Sequence, residues 1–188
     1  GDPGPWWQER LEELANALAQ VPELEIDRAA EAQLIETLAP LMTGIMAAGL
    51  GFAAMACVTL GRGWQALLVN PGGLQTEFTG LRLGQAAAVL TLLVMIASRL
   101  AEGALSEFAA QAVLLLLVPY LFAGLAVAHG LVRQAGSGRG WLVALYILLF
   151  ILPQSTLVVA GGGLLDTWMD FRRRFGGAGS STDNQPRD

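Results

Sequence analysis

The sequence predicts an all-α polytopic membrane protein, with four transmembrane helices behind an amphipathic N-terminal helix. Three observations carry this. Of 188 residues, 54% are hydrophobic and only 14% charged, against about 25% charged in soluble domains. The sequence holds four apolar stretches close to the ~20 residues that a helix needs to cross the hydrocarbon core. The last stretch, Trp141 to Phe171, ends in the aromatic anchor Trp168 and the basic cluster Arg172-Arg173-Arg174.

The net charge of -5 arises mainly in the N-terminal third, from Glu9, Glu12, Glu13, Glu23, Glu25, Asp27, Glu31 and Glu36. The eleven basic residues are all arginines, and they do not gather into a nucleic-acid surface. The single cysteine, Cys57, lies in an apolar run and excludes an intrachain disulfide. It reads as a small buried packing residue. The sequence offers neither a metal-ligand spacing nor a Ser/His/Asp or Cys/His pattern, so we expect no metal, no cofactor and no enzyme. The opening Gly1-Asp2-Pro3-Gly4-Pro5 lacks the features of a signal peptide and suggests a portion of a longer chain.

Residues 1–26 read as an acidic extramembrane segment. Pro5 suits a helix start. Trp7, Leu11, Leu14 and Leu18 then recur at helical spacing, opposite Glu9, Arg10, Glu12, Glu13, Asn16 and Gln20. The acidic polar face is unlike that of anionic-lipid binders, which favours packing against protein. Residues 27–175 read as the transmembrane domain, and residues 176–188 as a disordered tail. Asp27 is placed to cap a second helix. The expected spans are about 38–60, 83–100, 108–131 and 141–168. The first is rich in Gly and Ala, which allow close helix approach.

The connection after the first span gathers Arg62, Trp64, Gln65, Asn70, Glu77 and Arg82 around the turn Asn70-Pro71-Gly72-Gly73. It reads as an interfacial hairpin in which Arg62, Glu77 and Arg82 could pair, or as a functional loop. Pro119 predicts a kink in the third span, which also carries Tyr120 and His129. His129 has two readings, an interfacial anchor or a functional group.

Pro153 breaks the fourth span near its middle, followed by Gln154, Ser155 and Thr156. These polar residues either satisfy the carbonyls that the proline frees or line a cavity of the kind that transporters build at broken helices. With Tyr120 and His129 they form the candidate ligand-binding set. Asp166 and Asp170, spaced i and i+4, could bind a cation or act as acid and base. Alternatively they form an interfacial ion-pair network with Arg172, Arg173 and Arg174.

The motifs Leu60-Gly61-Arg62-Gly63-Trp64-Gln65, Asn70-Pro71-Gly72-Gly73, Glu77-Phe78, Leu81-Arg82-Leu83, Ala128-His129-Gly130 and Gly163-Leu164-Leu165-Asp166 through Asp170-Phe171-Arg172 resemble the bacterial membrane proteins grouped as DUF2232, or YybS-like. The resemblance covers about Leu38 to Arg174 and implies a C-terminal half, with further spans upstream. The family is similar in hydropathy to the S components of energy-coupling-factor transporters, although it has no established activity.

The sequence therefore leads to a multi-pass protein of the bacterial cytoplasmic membrane, transport-related or ligand-binding. Its partners would be the bilayer and other membrane subunits or the upstream spans, not nucleic acid. The arginines at 172–174 favour a cytoplasmic C terminus. The alternatives are an assembly protein acting through helix contacts and, last, an intramembrane enzyme in which Asp166, Asp170 and His129 converge.

Overall fold

The computed structural model describes residues 3–20, 27–136, 138 and 140–171. These are helical, with no strand among the described residues. The expected residues Arg172, Arg173 and Arg174, and the tail, lie outside them.

Helix α1 (Gly4–Leu18) starts with a proline in its first turn, where the missing N–H costs nothing. Helix α2 (Arg28–Leu38) is capped by Asp27, whose Oδ1 accepts from the Ala29 N–H at 2.9 Å and the Ala30 N–H at 3.5 Å. A single 3-10 turn, Ala39–Leu41, leads from α2 into α3 (Met42–Val69). Helix α4 (Gly73–Thr79), α5 (Gln85–Leu100), α6 (Ala104–Gln134), α7 (Gly140–Ile151) and α8 (Ser155–Met169) follow.

Two helical runs, Arg28–Val69 and Ala104–Gln134, are long and apolar enough to cross a membrane. At 1.5 Å per residue α6 alone extends about 46 Å, more than the ~30 Å hydrocarbon thickness. Helices α5 and α7 are apolar but shorter. The stretch 141–168, expected as one span, is instead two helices. Helix α7 stops at Ile151 and α8 starts at Ser155, because Pro153 can neither donate to the helix ladder nor fit beneath the preceding turn. Pro119 acts differently. Helix α6 runs unbroken past it, one lost bond being tolerable within 31 residues.

The first helix also outlasts its expected end near Leu60. Arg62, Trp64 and Gln65 lie on α3 rather than in a loop, and the break waits for Asn70. There the Gly73 N–H donates to the Asn70 carbonyl at 2.9 Å, with Gly72 at φ 89°. Proline followed by a left-handed glycine is the signature of a type II turn.

The chain divides into two compact units. One comprises Gly1–Gly51 and Thr91–Leu116, the other Phe52–Leu90 and Leu117–Asp188. In the first, α1 and α2 pack on the 3-10 turn. Trp7 Nε1 donates to Thr43 Oγ1 at 2.9 Å, and Gln111 Nε2 donates to the Pro40 carbonyl at 3.3 Å. Gly44 meets α6 closely: a Cβ there would lie 2.9 Å from Gln111 Cα.

In the second unit the buried residues of α6 run from Val118 through Val127, and include Tyr120, Phe122, Ala123 and Ala126. Helix α8 approaches them at backbone distance. A Cβ on Gly124 would lie 1.9 Å from the Val159 carbonyl oxygen, and one on Gly163 would lie 2.3 Å from that of Tyr120. Ala160 is buried at the same crossing. Small residues are what permit such an approach between helices.

Large apolar side chains stand outward elsewhere, among them Leu50, Val58, Leu67 and Leu68 of α3 and Phe150 of α7. Only 6% of the apolar stretch of Arg28–Val69 is buried, against 44% for Ala104–Gln134. Cys57, expected as a buried packing residue, is exposed. It lies on the outward face of α3, where no described residue covers it.

Candidate functional site

The most developed site lies in the second unit, where α3, α4 and α6 enclose a groove of about 350 Å³. Met55 and Val58 line it from α3, Phe78 from α4 and Phe122 from α6. Arg62 and Glu77 are its charged lining residues. The α3 contribution follows from helical periodicity, since residues 54, 55, 58, 59 and 62 recur at spacings of three and four. Phe122 meets Phe52 with ring centroids 5.6 Å apart, which supports the apolar wall.

Arg62 reaches across the groove to Glu77. Its Nε donates to Glu77 Oε2 at 3.1 Å, its Nη2 donates to Glu77 Oε1, and its Nη1 donates to Gln65 Oε1 at 2.7 Å. The parallel pair of bonds is the fork geometry that arginine forms with a carboxylate. The Arg62 hydrogen bond holds the Glu77 carboxyl below its ordinary range; desolvation opposes it, and the Arg62 charge adds a smaller effect in the same direction as the bond. Trp64 and Asn70 lie near by in sequence and are exposed, Trp64 on α3 and Asn70 at the turn.

Behind Phe78 stands His129. Their rings meet edge to face with centroids 5.5 Å apart, and His129 makes a second such contact with Tyr146 at 5.9 Å. His129 Nδ1 lies 2.8 Å from the Leu125 carbonyl, which can only accept, so Nδ1 carries the proton. The histidine thus joins α4, α6 and α7, and touches the groove only through Phe78. Tyr120 is buried on α6 at the α8 crossing.

The polar residues after Pro153 sit at the start of α8. Ser155 Oγ donates to the Leu152 carbonyl at 2.6 Å and to the Leu148 carbonyl at 3.3 Å. Both carbonyls also accept a backbone N–H, that of Leu152 and that of Ser155, each at 2.8 Å, so the hydroxyl adds a second bond at the restart of α8. Gln154 is exposed at the N-cap position without a side-chain capping bond, and Thr156 is half-buried.

At the other end of α8, Asp166 and Asp170 separate. Asp166 is 5% exposed, and its Oδ1 accepts from the Phe171 N–H at 2.9 Å. Asp170 lies just past the helix end in a left-handed conformation, φ 46°. Its Oδ1 accepts from Arg82 Nη2 at 2.6 Å. Asp170 thus pairs with a residue of the α4–α5 connection; the arginines at 172–174 lie outside the described residues. The Asp170 hydrogen bond keeps the Arg82 guanidinium above its ordinary value; burial opposes it, and the charges of Asp170 and then Asp166 add smaller effects in the same direction as the bond. A small recess of about 220 Å³ adjoins, with Gln85, Asp166 and Thr167 in its wall.

The structure thus separates the sequence-selected residues: Arg62 and Glu77 at the groove, His129 behind Phe78, Tyr120 at the α6–α8 crossing, Ser155 at the helix restart, and Asp166, Asp170 and Arg82 at the end of α8. No group of three or more His, Cys, Asp or Glu residues suited to a metal occurs among the described residues.

No protein family, curated protein or solved structure matches this chain.

Met55, Val58 and Phe122 were not singled out from the sequence. The first two carried a legible signal, their helical spacing from Arg62. That Phe122 closes the same groove is a tertiary fact with no local trace.

Proposed function

We propose that this chain is a multi-pass integral membrane protein and a small-ligand-binding subunit, of the transport-related kind. The groove at Arg62, Glu77 and Phe122 carries the reading. Its volume of about 350 Å³ falls within the roughly 300–1,000 Å³ of small-molecule sites, and its lining is apolar apart from a few polar groups. That chemistry fits a metabolite with an apolar body and one polar end, the end meeting the Arg62–Glu77 pair. The motif resemblance to the DUF2232 family, with its S-component-like hydropathy, points the same way.

Outward-facing Leu50 and Val58 support the membrane placement. They lie on a long apolar helix that, unlike the core helix of a soluble protein, is scarcely buried. In this reading α3 and α6 span the bilayer of the bacterial cytoplasmic membrane, α5 and the α7–α8 pair supply the remaining spans, and the C terminus is cytoplasmic.

Thermal unfolding in detergent against a panel of vitamins and other small metabolites tests the binding reading. A true ligand raises Tm in the parent protein and fails to do so in Val58→Trp, which fills the groove from an exposed position. The proposal fails if no compound raises Tm, or if Val58→Trp responds as the parent does.

A second reading, assembly through helix contacts, draws on a different observation. Gly49, Ala53, Cys57 and Gly61 recur every fourth residue along α3, and all four are exposed. Such a face suits a neighbouring membrane helix. Purification of a stoichiometric membrane partner that is lost in Ala53→Leu supports it; a chain that remains alone counts against it. The intramembrane-enzyme reading draws least support, because His129 and the two aspartates have separate partners.

A further inference from the structure

We infer that the α1–α2 pair is a docking platform for a basic amphipathic helix of another protein. Helices α1 and α2 leave an open groove of about 460 Å³ between them. Leu11, Leu14 and Leu18 line it from α1, and Leu34 and Leu38 from α2. Leu14 and Leu34 are 57% and 58% exposed, so the apolar seam is offered rather than closed. Asp27 and Glu31 stand in the same wall. The other side of the pair is a polar recess lined by Glu12, Glu31 and Glu36.

Charge selects the occupant. The described residues between 3 and 38 contain six acidic side chains and two arginines. Both arginines are already engaged: Arg10 with Glu9 at 3.2 Å and Glu13 at 2.9 Å, and Arg28 with Glu31 at 3.2 Å. The platform therefore presents surplus negative charge around an apolar seam. An anionic membrane surface is repelled by it, as is a second copy of the same platform. A helix with leucines along one face and lysines or arginines along the other satisfies both features, the helix-in-groove mode of recognition. Opposite charges at the rim also speed encounter and make it salt-dependent.

The test uses the full chain in phosphatidylcholine nanodiscs and a labelled 15-residue peptide of leucine and lysine, the leucines at i, i+3, i+4 and i+7. One comparator has the same composition with leucines at alternate positions, and another replaces lysine by glutamate. The expected result is saturable binding in a 1:1 ratio, at least tenfold tighter than either comparator. It weakens at least tenfold in the Leu14→Asp/Leu34→Asp variant. Glu12→Gln/Glu36→Gln, which leaves the apolar seam intact, weakens it several-fold and flattens its salt dependence. Equal binding of the alternate-leucine peptide, or binding unchanged in both variants, overturns the inference. So does preferential binding to phosphatidylglycerol vesicles through Leu14 and Leu34, which makes the platform a membrane contact. A tenfold gain in peptide affinity on removing residues 172–188 overturns it as well, since the chain's own arginine-bearing end is then the occupant.

Discussion

Asp170 Oδ1 accepts from Arg82 Nη2 at 2.6 Å, although 88 residues separate the two. The contact joins the end of α8 to the α4–α5 connection at a left-handed residue. Arg82→Gln and Asp170→Asn are expected to destabilise to similar degrees, and the double variant no more than either alone. For a pair with this much exposure the coupling should be about 0.5–1 kcal/mol, read from a double-mutant cycle of thermal unfolding in detergent. Additive losses would mean that the pair contributes nothing beyond its separate members.

Within the glycine run of α8, three neighbours should behave differently. Gly163→Ala drives a Cβ into the Tyr120 carbonyl and is expected to cost about 1–3 kcal/mol, as overpacking does. Gly161→Ala and Gly162→Ala meet nothing within 4 Å and should be neutral, or stabilising by up to ~1 kcal/mol through helix propensity. Gly124→Ala on α6 should resemble Gly163→Ala. Equal effects along the run would dispute the α6–α8 crossing.

Acidification bears on the groove through Glu77. Its carboxyl is held below the ordinary value by Arg62, so the folded state binds this proton less readily than the unfolded chain. The contribution is therefore whole above the unfolded carboxylate range and is lost as pH falls through the depressed folded value. Glu77→Gln should lower stability at neutral pH and remove that part of the acid limb. A variant whose profile between neutrality and pH ~3 parallels the parent's would show the pair to be without effect on stability.

Ser155→Ala should cost about 0.5–1 kcal/mol, since it removes the hydroxyl's bonds to the Leu148 and Leu152 carbonyls while their backbone partners remain. Gln154→Ala, at an exposed position, should leave Tm unchanged. If instead Ser155→Ala is silent in unfolding and abolishes ligand-induced stabilisation, the restart of α8 belongs to the binding site.

Membrane placement can be read by thiol labelling in a Cys57→Ser background. Leu50→Cys and Met46→Cys sit at positions 71% and 51% exposed in the isolated chain. In a bilayer a charged maleimide should miss both in intact membranes and reach both after transfer to denaturant. Rapid labelling in intact membranes would contradict spanning by α3.

Much of the fold was legible because local chemistry decided it. Asp27 caps α2, Asn70-Pro71-Gly72-Gly73 turns the chain, and Pro153 stops α7, each through interactions within a few residues. The extension of α3 through Arg62 and Trp64 was not foreseen, because interfacial residues and helix continuation are compatible. The pairing of Asp170 with Arg82 was not legible either: α8 ends at Met169, and this partner lies 88 residues away in the chain. The same holds for Gly124 opposite Gly163. Each glycine signals a close approach, and neither names the backbone it approaches.

The break at Pro153 has a consequence for biogenesis. Helix α7 has 12 residues and α8 has 15, so at 1.5 Å per residue they extend about 18 Å and 22 Å. Neither length matches the ~30 Å that a translocon hands to lipid as a finished segment. If this stretch enters a bilayer, it must leave the insertion channel as one hydrophobic unit and divide afterwards. The carbonyls at Leu148 and Leu152 keep backbone partners across the break, and the Ser155 hydroxyl adds a bond to each. The restart of α8 is thus held from within the chain, so the two halves can part without waiting for a neighbouring helix.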